Sequence, residues 1–279
     1  MESGLYVVAT PIGNLGDLSA RAVSVLQQAD IIAAEDTRHS QRLLQHYAIS
    51  TPLMAYHDHS DNRAVNKIST CLASGGSVAL VSDAGTPLIS DPGYRLVRAM
   101  QDQGFMVVPV PGACAAVAAL SASGLATDRF LFEGFLPSRA GARENRLAEL
   151  THETATLIFY EAPHRVVACL EAMIDAFGAG REAVLAREVT KTFETIRRST
   201  LADLRDFVAG DSNQQKGEMV LLVAGSRADN TEVTAEIAGL LLRLAQELPA
   251  KTAAAVVADY TGLRKKLLYN FLLERKSLL

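Results

Sequence analysis

At 279 residues the chain is long enough for about two domains and a sizeable core, and with 49% hydrophobic and 21% charged residues it is neither a disordered tail nor a low-complexity spacer. A formal net charge of -4 excludes a protein that coats nucleic acid by bulk attraction, so any contact with phosphates must come from local basic patches. The three cysteines, Cys71, Cys114 and Cys169, are odd in number and form no CxxC pair, which points to reduced thiols rather than a disulfide framework or a zinc site.

The stretch MESGLYVVAT has no basic n-region and runs straight into a strand-like segment, so no secretory signal is expected. Residues 5–10, LYVVAT, form the first apolar, β-branched run, and residues 20–28 follow with helical periodicity. IIAA at 31–34, SVALVS at 77–82 and residues 106–110 repeat the strand type, with a helical pattern over 94–104. Apolar strands separated by amphipathic helices imply a parallel sheet covered on both faces, here over residues 1–111. A second α/β unit with a mixed sheet is expected over 112–225. Its strands fall at 129–135, 156–162, 183–188 and 218–225, and its helices at 143–150, 165–176 and 201–209. SRADNTE reads as a linker and the chain is helical from Val233 onward, giving a third segment over 226–279. The longest apolar region, residues 107–126, is broken by Pro109, Pro111 and Gly112 and cannot span a membrane. A cytoplasmic protein is expected.

No GxxxxGK[ST] and no GxGxxG occurs, which removes the two commonest nucleotide loops. Three strand ends nevertheless carry turn chemistry: TPIGNLGD at 10–17, VSDAGTPLISDPG at 81–93 and PVPGACAA at 109–116. In an open α/β sheet, ligands bind beyond the carboxyl ends of the strands, where all three loops lie. Asp83 and Asp91 set carboxylates beside Gly85 and Gly93, and no basic residue intervenes, so this loop repels phosphate and suits a ligand with positive charge or amine donors. The plainer reading is that both aspartates cap turns and Pro92 opens a helix.

In this order, TPIGNLGDLSARA, AAEDTR, VSDAGTPLISDPG, PGACAAVAAL, FEGFLP, YEAPHR and REVTKTFE resemble the tetrapyrrole-methylase superfamily, the class III methyltransferases, over nearly the whole chain. Within it, the GTPLISDPG and EDTR segments resemble the branch that 2'-O-methylates a cytidine of 16S rRNA. The resemblance implies two α/β domains with S-adenosylmethionine in the interdomain cleft, plus a C-terminal helix-turn-helix-like tail. It assigns the cofactor to Pro11, to Ser82, Asp83, Ala84, Gly85, Thr86 and Ile89, to Cys114 and Ala115, and to Tyr160 and Glu161. The partners it implies are 16S rRNA in the 30S subunit and a second copy of the chain, with no membrane and no DNA. A tetrapyrrole methylase, or a non-catalytic ribosome-binding factor on a methylase scaffold, are the competing readings.

Methylating a ribose hydroxyl requires alignment, loss of a proton and exclusion of water. Glu188 and Lys191 are the candidate catalytic pair, against an ordinary i,i+3 ion pair. Asp36, Arg38, His164 and Arg165 are candidate substrate contacts, with helix capping the alternative for Asp36. His57 and His59 in YHDH lack a third ligand, so no metal is expected. Phosphate contacts are expected from Arg139, Arg143 and Arg146 in PSRAGARENR, from Arg197 and Arg198, and from Arg264, Lys265 and Lys266. The last three open the second helix of a helix-turn-helix pattern in which Ala258 is the small contact residue, Gly262 the turn glycine and Leu268 the packed apolar residue.

Overall fold

The computed structural model describes residues 1–57, 62–226 and 233–276, arranged as two compact units, 1–225 and 226–279. His59 and most of the expected linker lie outside the described residues.

The first unit holds two five-stranded sheets. One is built from β1 (Gly4–Val8), β2 (Ile31–Ala34), β3 (Leu53–Ala55), β4 (Ser77–Val81) and β5 (Val107–Val110), in the order β3-β2-β4-β1-β5. Every pairing is parallel. Its strands carry apolar side chains in both directions because both faces are covered. Tyr6, Val8 and Ile32 pack with α1 (Ala20–Gln28) and α2 (Thr37–His46) on one face. Leu5, Val78 and Leu80 pack with α3 (Asn62–Ala73) and α4 (Tyr94–Asp102) on the other. Helix α1 begins where Ser19 accepts a hydrogen bond from the Ala22 amide and stops as Ala29 turns to extended backbone.

The chain leaves β5 through a small-residue loop into α5 (Ala115–Ser123), which packs on the second sheet. That sheet runs β6-β7-β10-β8-β9, from β6 (Phe130–Phe135), β7 (Thr156–Glu161), β8 (Glu182–Arg187), β9 (Thr195–Thr200) and β10 (Met219–Val223). β6 and β7 are parallel, whereas β10 is antiparallel to both β7 and β8, and β9 is antiparallel to β8. Strand alternation sends Leu157 and Phe159 into a core with α6 (Ala140–Glu149), α7 (Val166–Phe177) and α8 (Leu201–Gly210), and Ile158 into the opposite core against α5. Sequence reading missed β3, β9 and α3, and it gave no bounds to α2 and α5. β9 reads TIRRST, an edge strand whose arginines hide the β pattern, and RHSQRLLQH in α2 is too polar for its two buried positions, Ser40 and Leu44, to stand out.

The second unit is α9 (Ala235–Glu247), α10 (Ala250–Thr261) and α11 (Lys265–Lys276) around a core of its own that includes Leu241, Val257, Leu268 and Leu272. Gly262 ends α10 with φ 73°, its amide bonded to the Ala258 carbonyl, and Leu268 is fully buried. Arg264, Lys265 and Lys266 are exposed at the start of α11. No helix among the described residues is long and apolar enough to cross a membrane.

Candidate active site

The two loops that meet at the centre of the first sheet are stitched together by backbone. The Thr10 amide donates to the Gly85 carbonyl at 2.8 Å, and the Gly85 amide donates to Thr10 at 3.1 Å. Gly85 has φ +82°, and a Cβ there would stand 3.3 Å from Ile12 Cγ2, so both conformation and space call for glycine. The Thr86 hydroxyl donates to the Ala113 carbonyl at 3.0 Å, fastening this loop to the entry of α5. A Cβ on Gly112 would come within 2.9 Å of Ala9 Cβ, and this close approach brings α5 beside the end of β1.

Between these loops and the carboxyl ends of β6 and β7 lies a cleft of about 330 Å³. Its lining is mainly apolar, with Ile12, Ile89, Phe135, Val189 and Val220, and among the described residues it contains three carboxylates, Asp91, Glu161 and Glu218, and no basic residue. Of the expected cofactor residues, Ala84, Gly85, Thr86, Ile89, Cys114, Ala115, Tyr160 and Glu161 line it. Pro11, Ser82 and Asp83 are not among its lining residues. Ser82 is buried, and Asp83 Oδ1 accepts the Asp36 amide at 3.1 Å, tying the loop after β4 to the loop after β2. Asp83 therefore bonds a distant segment rather than its own neighbours. Sequence reasoning missed Val189, Glu218 and Met219 as lining, because only the antiparallel pairing of β8 with β10 brings them to the cleft.

The three lining carboxylates differ in character. Glu161 is wholly buried and well partnered: Arg165 Nη2 donates to Oε2 at 3.3 Å and the Ala162 amide to Oε1 at 2.8 Å, while Arg165 Nε stands 3.2 Å from Oε1 as an ion pair without hydrogen-bond geometry. Glu218 is largely exposed and pairs with Lys191 at 3.0 Å. Asp91 has no cationic partner among the described residues. Burial holds its carboxyl above the usual range, Asp83 pushes it the same way, and a hydrogen bond from Ser82 opposes them. Glu35 nearby is raised by burial and by Asp83 and Asp91, against a smaller pull from His57. Tyr160 accepts the Ala116 amide at 3.1 Å, and burial raises its phenol well above the usual range.

Glu188 and Lys191 flank the lining residue Val189 without lining the cleft themselves. Lys191 Nζ donates at 3.0 Å to both Glu188 and Glu218, and its stem crosses Gly13, where a Cβ would meet Lys191 Cγ at 2.4 Å. The two carboxylates hold Lys191 charged although burial, the largest single influence, opposes this. Burial likewise raises Glu188, but the Glu218 amide and Lys191 together outweigh it and hold the carboxyl below its ordinary value. Glu188 at φ 51° and Thr190 at φ 69° are left-handed, as are Leu88 and Ser90 on the opposite wall. Four of the five such non-glycine residues among the described ones thus cluster at this cleft, the fifth being Ala48.

The other candidates scatter. Asp36 caps α2 through the Arg38 amide at 2.8 Å and pairs with Arg38, whose side chain is 91% exposed. His164 is exposed, whereas Arg165 turns inward to Glu161 and to the Leu136 carbonyl at 2.8 Å. Arg143 is buried and not free to meet a phosphate. It shares the inner face of α6 with Leu147, is 8% exposed, and its Nε has no hydrogen-bond partner among the described residues. Arg146 forks onto Glu133 at 2.8 Å and also pairs with Glu149, so Arg139 alone of that segment is both exposed and unpaired among the described residues. Arg198 is paired with Glu182, and Arg197 lies over the Phe207 ring at 4.1 Å. No group of three or more His, Cys, Asp or Glu among the described residues could hold a metal ion.

Residues 4–205 match the model of the tetrapyrrole (corrin/porphyrin) methylases, and residues 231–276 match that of the RsmI C-terminal HTH domain. The chain is similar to ribosomal RNA small subunit methyltransferase I of Pseudomonas aeruginosa, with 57% identity covering 99% of both chains. The enzyme of the same name from Vibrio cholerae is 53% identical over 97% of this chain and 94% of its own. Among solved structures, the cobalamin biosynthetic enzyme cobalt precorrin-4 methyltransferase superposes with a TM-score of 0.60 at 18% identity, covering 79% of this chain and 94% of that one. A Thermus thermophilus uroporphyrin-III C-methyltransferase complexed with S-adenosylhomocysteine gives 0.55 at 16% identity, covering 78% and 96%.

Proposed function

The chain belongs to the tetrapyrrole methylase family, in the branch of ribosomal RNA small subunit methyltransferase I, and on that premise we propose that its cleft serves the transfer of a methyl group from S-adenosylmethionine to a ribose 2'-hydroxyl of ribosomal RNA. The observation that carries this reading is the lining itself: apolar walls and, among the described residues, three carboxylates and no basic residue. Such a lining fits a flat heterocycle joined to a cationic centre and disfavours a free nucleotide phosphate. S-adenosylmethionine, bound there, supplies an electrophilic methyl group on a positively charged sulfur.

The chain's own residues supply the rest. Gly85, Thr86, Cys114 and Ala115 bring backbone close to the donor, and the start of α5, whose Ala116 amide is taken by Tyr160, turns its positive end towards a carboxylate. Glu161, held rigid by Arg165, forms a fixed wall. In this reading Glu188 and Lys191 act as one unit at the acceptor rim: Lys191, kept protonated, has no lone pair to offer and serves as a fixed positive charge. Asp91 is the cleft group suited to take the hydroxyl proton, because no cationic side chain among the described residues competes for its oxygens and its surroundings favour protonation.

The finer proposal is that the acceptor is a cytidine of 16S rRNA presented by the 30S subunit in the cytoplasm, and that the enzyme acts as a homodimer. Residues 1–111 and 112–225 would form the two cleft walls, and 226–279 would add Arg264, Lys265 and Lys266 as phosphate contacts. These exposed cations favour RNA over a tetrapyrrole acceptor. Labelled methyl transfer should occur to 30S subunits from cells lacking the chain and not to uroporphyrinogen; the reverse preference would refute the RNA reading.

A further inference from the structure

Because β6 is parallel to β7, and β10 is antiparallel to both β7 and β8, strands β6, β7 and β8 end at the same edge of the second sheet. The cleft opens there. Two phenylalanines stand at this edge: Phe135, the last residue of β6, and Phe193, in the turn that follows β8. They are 57% and 71% exposed. β7 and β10 lie between β6 and β8, so the two strand ends are about 14 Å apart at roughly 4.8 Å per strand.

Phe135 packs edge-on against Tyr160 at 5.6 Å and lines the cleft. Phe193 has no aromatic or cationic partner among the described residues, yet its turn is heavily braced. Buried Arg187 donates through Nη2 to the Phe193 carbonyl at 3.1 Å, through Nη1 to the Lys216 carbonyl at 3.2 Å, and through Nε to Gln214 at 3.2 Å. The Thr190 amide donates to Glu194 at 2.7 Å, and Lys191 anchors the turn to Glu188 and Glu218. Glu188 and Thr190 are left-handed, and the Thr190 hydroxyl is buried without a hydrogen-bond partner among the described residues. A buried guanidinium, two unfavourable backbone conformations and an unsatisfied hydroxyl all lower stability. What they jointly fix in place is an exposed apolar ring four residues beyond Val189 of the cleft wall.

We propose that Phe193 is a stacking platform for an unpaired nucleobase of the acceptor RNA, and that the braced turn from Glu188 to Glu194 holds this ring still beside the cleft. The proposal rests on the RNA reading above. A ribose can reach an enclosed cleft only if its nucleotide is pulled out of its helix, and aromatic faces are what commonly receive the displaced or neighbouring base. Stacking tolerates any base, so Phe193 would set affinity for the strand and leave the choice of nucleotide to other contacts.

The test compares Phe193→Ala, Phe193→Leu and Phe193→Trp in methyl transfer to unmodified 30S subunits, with donor affinity measured by calorimetry and particle mass by light scattering. Phe193→Ala and Phe193→Leu should raise KM for the subunit about 10- to 100-fold, in line with the worth of one stacked base. Phe193→Trp should stay within about threefold of wild type, and donor affinity and mass should not change. A wild-type KM in Phe193→Ala, or full function in Phe193→Leu, would overturn the proposal. So would a fall in mass accompanying the loss, which would assign the ring to a contact between copies of the chain. Wild-type protein inert towards 30S subunits would instead remove the premise.

Discussion

Asp91→Asn should slow methyl transfer by at least about 100-fold at neutral pH, close to 3 kcal/mol of barrier, while S-adenosylmethionine binds within about threefold of its wild-type affinity. The exchange keeps the shape of the side chain and removes its charge together with its ability to take a proton. The groups around Asp91 fix the pH dependence: Asp83 and Glu35 repel its charge, Ser82 stabilises it and Tyr160 is neutral. Burial and Asp83 together raise the carboxyl, so wild-type activity should fall on acidification at a pH above the ordinary carboxylate range, as Asp91 takes up its proton. The asparagine variant should lose that limb. Stability separates this from misfolding. A carboxyl raised in the folded state binds more protons folded than unfolded, so it destabilises the fold as pH rises from the ordinary carboxylate range through the raised value. Above that window Asp91→Asn should be at least as stable as wild type. A matching loss of donor affinity would show that the carboxylate holds the donor rather than accepting the proton.

The second large effect is on the fold. Glu161→Ala should cost about 3–5 kcal/mol in urea unfolding, because it leaves the mostly buried Arg165 uncompensated. Arg143 aggravates this: it is a second buried guanidinium on the same core, without an ion-pair partner among the described residues. Cys169 cannot substitute for the lost charge. Burial, and Glu161 itself, push its thiol far above the usual range, against weaker pulls from both arginines. Replacing Glu161 and Arg165 together by Met should recover much of the loss, as the cavity is refilled without an unmatched charge. If Glu161→Ala unfolds like wild type, the pair contributes nothing to the core.

How much of this could be read from the chain varies with the physics of each segment. Helix α1 was legible to the residue, because its apolar positions repeat with helical periodicity over residues 20–28. The parallel sheet followed from strands without polar alternation. Most of the cofactor-side lining lay in the three turn-rich loops, which local composition marks. Arg143 and Arg165 were misleading because arginine composition says nothing about which helix face turns inward. Val189 and Glu218 were silent for a different reason: their place depends on which strands pair across β10, and no local pattern encodes that. The functional weight of Asp91 over Asp83 likewise came only from seeing which of them a distant amide already occupies.

The stitch between Thr10 and Gly85 joins residues 75 positions apart, and the lysine stem over Gly13 ties the opening of the chain to a segment encoded far later. A ribosome emits the polypeptide from its amino end, so the early half can compact while the cleft wall stays unfinished until residues near 220 have emerged. Chains truncated before Glu218 should therefore take up no S-adenosylmethionine, whereas chains that run past Val223 should, an outcome calorimetry on the two lengths would check.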